Sequence, residues 1–480
     1  MIKEISHNNK KRRTMKTICL YFEIHQIIHL RRYRFFDIGT DHYYYDDYEN
    51  ERSIREIVEH SYIPALDTLL EMINGSGGYF KVAFCISGVG IESLEQYAPE
   101  VIEKIQALAQ TGCVEFLAEP YSHGLAALGN EESFKREVKR LSKKIKEYFG
   151  YTPKVLRNSS LIYSDDIGLM AADMGFKGMI TEGAKHILGW KSPHYLYHCA
   201  LAPKLKLILR DVTLSDDISL RFNNSEWEGY PLFAENYIER IATQPEDEKV
   251  YGIFMNLTAL GMEQPLHSNI LEFFKALPEC ARSKGVTFST PIEICNTEQS
   301  VDELSVPYPI SWRDEERDIS TWLGNAMQRE AFNKLYSVAD RIRISNDPRI
   351  NQDWDYLQAS DNFSAMSTKP VPVGVDRGIY STPFDAFTNY MNILGDFINR
   401  VDALYPVEID NEELDGLLTT IHNQEKKIEL RDKEIVLLKA KVEKLDQECD
   451  KLRVQLSDCK KSGKATKSKA KAVKKSAKEE

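Results

Sequence analysis

VLRNSSLIYSDD (155–166) and VYGIFMNLTALG (250–261) are the stretches whose reading decides the fold. Each opens on a short apolar, β-branched run and turns polar at its end. That is the pattern of a buried parallel strand that presents a side chain at its C-terminal tip. Ser160 stands just past the first run and Asn256 at the end of the second. Outward from these two, runs of the same kind recur at 17–24, 80–86, 113–117, 154–158, 178–181 and 205–210, with a further candidate at 286–289. Helical patterns lie between most of them, at 53–73, 95–110, 131–149 and 266–283. The alternation predicts βα units and a parallel sheet. Seven or eight units over about 280 residues suggest closure into a barrel rather than an open sheet.

The barrel is expected over 15–295, followed by a polar, proline-containing linker at 296–310. Residues 311–408 read as a helical domain, with aromatics in FNKLY (332–336) and FDAFTNYMNILGDFINRV (384–401). From Leu414 the period changes. Leu414, Ile421, Ile428, Ile435, Val442, Cys449 and Leu456 recur every seven residues. Leu417, Leu438, Leu445 and Leu452 fall three residues after members of that row, while Gln424 and Arg431 interrupt it. These are the two seams of a coiled coil over 411–459, weaker in its first heptads. A single amphipathic helix docked on the protein body is the alternative. The Lys/Ala/Ser tail at 460–480 cannot bury a core and is expected to be disordered.

Composition bounds the function. The chain has 480 residues, 42% hydrophobic and 28% charged, as soluble globular proteins do. Net charge is −11, yet residues 460–480 carry nine Lys and two Glu, so the rest carries −18. An acidic body argues against nucleic acid as the main ligand. The eight cysteines form no CxxC pair, so no metal ribbon is expected; several lie in apolar runs and fit a reducing cytoplasm. KKRRTMK (10–16) precedes an apolar run that contains Glu23, His25 and Gln26 and has no small-residue cleavage site. This argues against a signal peptide and makes residues 1–14 an extra N-terminal segment, with Met15 as an alternative start. No segment approaches 18 uncharged apolar residues, so no membrane span is expected. The YYYDDY cluster at 43–48 would suit sugar stacking, although core and interface packing accounts for most such aromatics.

The strand ends supply His25, Glu115 with Glu119 and His123, Ser160, Glu182, Asp211 and Asn256. A polar, largely acidic set of this kind suits hydroxyl-rich ligands, though each member also has a structural reading.

With these residues in hand, the chain resembles glycoside hydrolase family 57, the α-amylase and 4-α-glucanotransferase family, from about Met15 to Tyr405. FEIHQ (22–26) is similar to the first motif, with Ile27 in place of its proline. VEFLAEPYSHGLAAL (114–128) is similar to the second and keeps Glu115, Glu119 and His123. VLRNSSLIYSDDIGLMAADMGFKGMITEG (155–183) resembles the third, whose nucleophilic glutamate falls on Ser160. IFMNLTALGMEQ (253–264) resembles the fourth, whose acid/base aspartate falls on Asn256. Leu257, Thr258, Ala259 and Met262 also depart from that motif. SWRDEERDISTWLGNAMQREA (311–331) is family-like too. LQASDNFSAMSTK (357–369) keeps the frame of the fifth motif, but Asn362, Ser364 and Ala365 replace its histidine and two tyrosines.

The resemblance implies a (β/α)7 barrel with a C-terminal helical domain and a retaining mechanism that needs two carboxyl groups. A serine hydroxyl and a carboxamide supply neither. The leading expectation is a non-catalytic, cytoplasmic protein with an α-glucan-binding or a regulatory or scaffold role in carbohydrate metabolism. An α-glucan or maltooligosaccharide would be held through His25, Glu115 and His123, with no metal or cofactor, and the chain would self-associate through its coiled coil. Two alternatives stand. One is an active α-amylase or glucanotransferase with displaced carboxylates, drawn from Glu119, Asp165, Asp166, Glu182 and Glu263. The other is an assembly protein whose cleft is vestigial.

Overall fold

The computed structural model describes residues 15–370, 379–404, 416–428, 430–439, 441–442 and 445. The segment 1–14, the tail 460–480 and the heptad positions Leu414, Cys449, Leu452 and Leu456 lie outside them. The described residues up to 404 form one compact unit, and those from 416 onward belong to a second.

The first unit is a mixed α/β fold around a mostly parallel sheet. Its strands are β1 (Lys16–Ile24), β2 (Val82–Ile86), β3 (Val114–Phe116), β4 (Val155–Arg157), β5 (Gly178–Glu182), β6 (Tyr197–Cys199), β7 (Lys206–Arg210) and β8 (Val250–Asn256). A two-stranded pair, β9 (Leu260–Gly261) and β10 (Gln264–Pro265), follows; β11 (Val286–Phe288) and β12 (Asp302–Leu304) come last. Parallel pairing runs from β1 to β2 to β3. A single parallel bridge, Ala118 to Leu156, carries it to β4. From there it continues through β5, β7 and β8 back to β1. Every strand expected from the apolar runs is present, β11 included, which adds to the free stretch of β1.

The alternation along β1 sorts its side chains. Phe22 packs outward against Phe84 and Phe274, with ring centroids 6.2 and 5.9 Å apart. Cys19 and Tyr21 point inward and join Ala83, Cys85, Val155, Ile180, Ile208 and Phe254 in one buried cluster. The covering helices form for local reasons. In Glu131–Phe149, Asn130 accepts the Ser133 amide and two glutamates occupy the first turn. Phe134, Val138, Leu141 and Ile145 make the buried face, and Gly150 ends the helix in the left-handed region.

Two expectations need correction. The segment 296–310 is not a linker. It contributes β12, parallel to β6, and buries Leu304, Val306 and Ile310. Its apolar residues alternate with polar ones too sparsely to stand out from a polar background. The helix expected over 53–73 is divided by a π-helical turn at Val58–Tyr62. That turn receives the loop after β8. Ser61 Oγ donates to the Leu257 carbonyl at 3.1 Å. Gly261 (φ +118°) lies so close to the His60 carbonyl that a Cβ there would sit 2.0 Å from its oxygen. Only glycine fits this approach.

In the second unit, the described residues from Gly416 onward are helical. Leu417, Ile428, Ile435, Leu438, Val442 and Leu445 on this helix are all exposed. No helix among the described residues is long and apolar enough to cross a membrane.

Candidate functional site

The strand tips carry two buried guanidinium networks. At the end of β4, Arg157 donates to Glu23 of β1 at 2.5 Å and to Glu119, just past β3, at 2.8 Å. His123 Nδ1 lies 3.3 Å from a carboxylate oxygen of each. Burial pulls the His123 imidazole down, but the Glu23 and Glu119 charges outweigh it and hold its pKa above the ordinary value. Burial pushes Glu119 up; the His123 hydrogen bond and the Arg157 charge overcome that and keep it below the usual carboxylate range. At the end of β7, Arg210 contacts Glu182 at 3.4 Å, donates to the Phe254 carbonyl at 2.9 Å and pairs with Asp216. Burial pushes the Glu182 carboxyl up against the opposing pull of Arg210.

His25 follows β1 and stacks on His123, with ring centroids 4.1 Å apart. Its Nδ1 bonds Ser87 Oγ at 2.8 Å and its Nε2 bonds Asp361 at 3.0 Å. This Ser–His–Asp series is not a nucleophilic triad. Ser87 is fully buried, and its Oγ also accepts the Gly90 amide as a helix cap. With both ring nitrogens engaged, His25 is not free to act as a base for Ser160 either.

Ser160 sits in a tight turn just past β4. Asn158 closes the turn by donating to the Ile162 carbonyl at 2.9 Å. Ser160 and Leu161 both have left-handed backbones, with φ of +52° and +55°; His123 has φ +53°. Such conformations cost on the order of 1–3 kcal/mol each for residues with a Cβ. Trp312 lies against this turn, its amide 3.3 Å from the Ser160 carbonyl, with Arg210 5.9 Å from its ring centroid. Asn256 ends β8 half-buried.

Trp312, Arg157, Arg210 and Asp361 were missed as site residues in the sequence. Trp312 sits in the family-like segment 311–331, and Asp361 in the fifth motif beside the replaced Asn362, Ser364 and Ala365.

The structure brings His25, His123 and Glu119 together, but Glu115 does not join them. Its inward position on β3 is level with Ala83 and so with Tyr21, short of the strand tips. There it accepts the Ile292 amide at 2.8 Å, at the start of the helix Pro291–Thr297. The expectation that Glu115 contacts sugar is corrected: its carboxylate satisfies a helix N-terminus inside the fold. Asp211 likewise caps a helix, accepting the Leu214 amide at 2.7 Å.

Burial raises the Glu115 pKa to about 7. The folded state therefore holds a proton that the unfolded chain releases near 4.5. This contribution to stability is fully present below that pH and is lost as pH rises towards about 7, on the order of 3 kcal/mol. Glu115→Gln is expected to flatten stability between those two pH values in urea denaturation. A slope identical to wild type would show that Glu115 is already ionised in the fold.

Donor atoms of Glu23, Glu119 and His123 lie within 4.8 Å of one another, close enough to hold a metal ion. The Arg157 fork already engages both carboxylates and supplies the positive charge, so these residues do not fit a metal.

The tips of the parallel sheet thus gather carboxylates, histidines and an aromatic. The chain belongs to glycosyl hydrolase family 57, whose model matches residues 19–307. It is 35% identical over 397 residues to a Methanocaldococcus jannaschii protein provisionally named alpha-amylase, covering 78% of this chain and 82% of that one. Its fold is similar to that of a 4-alpha-glucanotransferase from Thermococcus litoralis, with TM-score 0.59 and 14% identity over 79% of this chain and 60% of the other. It is also similar to that of a GH57 branching enzyme from Thermococcus kodakaraensis, with TM-score 0.58 and 14% identity over 84% and 94%.

Proposed function

We propose that this family member binds an α-glucan at the strand-tip mouth without cleaving it, within a (β/α)7-type barrel. The observation that carries this reading is the identity and engagement of the side chains around the two catalytic positions. Ser160 and Asn256 stand where the family uses carboxylates, and the candidate acids other than Asp166, which is exposed in the first turn of the helix Asp165–Asp173, are occupied. Glu23 and Glu119 are tied to Arg157, and Glu182 and Asp216 to Arg210. Asp165 accepts the Val306 amide at 2.8 Å, and Glu263 accepts from Thr258 at 2.7 Å. This engagement weighs against relocated catalytic carboxylates. The mouth keeps what binding needs: His123 as a polar contact, His25 stacked on it to hold its ring, and Trp312 as a ring to lie against a pyranose face. Calorimetric titration with maltooligosaccharides, paired with a reducing-sugar assay, tests the proposal. Heat of binding without turnover supports it; neither heat nor turnover would sink it.

Self-association through residues 411–459 belongs to the same proposal. It is supported by the exposed leucine, isoleucine and valine row of the second unit. Truncation at about Pro406 is expected to lower the solution mass by light scattering while the first unit stays folded; an unchanged subunit count refutes the coiled-coil assignment. The free cysteines Cys19, Cys85, Cys199 and Cys295 are buried, in keeping with a reducing, cytoplasmic setting.

A further inference from the structure

Away from the mouth, the stretch from Trp190 to Tyr197 and the starts of β8 and β12 enclose a cavity of about 610 Å³. That size falls within the range of roughly 300–1,000 Å³ typical of small-molecule sites. Lys249 and Val250 line it, so it sits at the opposite end of β8 from Asn256, roughly 20 Å away along the strand.

Trp190 on its rim is 92% exposed, whereas Trp322 and Trp354 are 3% and 6% exposed. Gly189 before it, with φ +58°, turns the chain so that the indole projects from the surface. Exposing almost a whole tryptophan opposes the hydrophobic effect and does nothing for the core. Tyr195 adds a second, half-buried ring, its hydroxyl donating to Asp247.

Both lysines that line the cavity are paired in place. Lys191 pairs with Asp302 at 2.7 Å and Lys249 with Glu298 at 3.5 Å. His194 is clamped between Asp211 and Glu248 at 2.6 and 2.5 Å. A wall whose lysines are already paired and whose acids are engaged by Lys191, Lys249, His194 and the Tyr195 hydroxyl has no free cation to hold an anion. Its fixed carboxylate and carbonyl acceptors beside flat apolar rings suit a neutral ligand that has hydroxyl edges and apolar ring faces.

We propose that this cavity is a second carbohydrate site, which takes a stretch of α-glucan chain with Trp190 stacked on a pyranose face. The ligand class rests on the α-glucan reading of the mouth; the site itself is independent of the mouth. Its consequence is retention on polymer, with the chain held at two places roughly a strand length apart.

Affinity electrophoresis through glycogen-containing and blank gels separates the two sites. Wild type is expected to be retarded by glycogen. Trp190→Ala should weaken apparent affinity at least threefold, Trp190→Phe should recover most of it, and His25→Ala should remain retarded through the cavity. Trp190 packs against little, so matching thermal midpoints for Trp190→Ala and wild type confirm that its fold is intact. Equal retardation of wild type and Trp190→Ala overturns the second site and leaves the mouth reading standing. Absence of wild-type retardation also overturns it, while calorimetry with short oligosaccharides judges the mouth separately.

Discussion

Purified wild-type protein is expected to release no reducing sugar from maltoheptaose above the buffer blank, at any pH from 5 to 8. Retention of configuration needs two carboxyl groups roughly 5–5.5 Å apart, one to attack and one to protonate and deprotonate. General acid–base help alone is worth about 10²- to 10⁴-fold in rate, and a covalent route needs a carboxylate nucleophile, which a serine at 160 would not supply. The Ser160 hydroxyl carries no charge at neutral pH, and the Asn256 carboxamide has no proton to deliver to a leaving oxygen. The constructive test is Ser160→Glu combined with Asn256→Asp. At most weak turnover is expected, no more than about 10²-fold above wild type. A glutamate at 160 inherits a backbone at φ +52°. Leu257, Thr258 and Met262 have also altered the shell that would orient and tune the aspartate. Robust wild-type turnover, abolished by Glu119→Gln or Glu182→Gln, would falsify the non-catalytic reading in favour of a relocated pair.

Arg157→Met is expected to be the most damaging single substitution for stability. Its guanidinium is 1% exposed and bridges Glu23 and Glu119, whose side chains are 9% and 0% exposed. Removing it leaves buried carboxylates with only His123 to balance them. Breaking a buried ion pair from one side costs about 3–5 kcal/mol. Urea denaturation at pH 7 should show a loss of that size. The penalty should shrink as acid protonates the stranded carboxylates. Adding Glu23→Gln and Glu119→Gln should recover most of the loss, because no uncompensated charge then remains. If Arg157→Met cost less than about 1 kcal/mol, water must reach the network and the buried-pair description fails.

β1 to β5, β7, β8 and β11 were legible in the sequence because they fall in largely apolar runs that the parallel arrangement buries, whereas β6 and β12 are short and carry no such run. The strand-tip residues were legible for a related reason: polarity switches on abruptly where a buried run ends, as at Arg157–Asn158 and Met255–Asn256. The same logic could not distinguish depth along a strand. Glu115 and Glu119 look alike as acids in one motif. Only the register, which sets Glu115 level with Tyr21 and extends the chain past β3 to Glu119, separates a helix-capping carboxylate from a member of the mouth. Segment 296–310 misled because its pairing partner, β6, is about a hundred residues earlier in the chain, and local composition carries no record of it.

The sequence by itself determined the alternation of strands and helices, the presence of a serine and an asparagine rather than carboxylates at 160 and 256, and the heptad spacing after Leu414. These are properties of residue type and period. Tertiary structure decided which charges pair with one another, that Ser87 is sealed inside a helix cap, that Trp312 lies against the Ser160 turn, and that Trp190 stands in solvent beside a cavity. Those depend on contacts between residues tens to hundreds of positions apart, and burial and Coulomb energy are functions of distance in space rather than of distance along the chain.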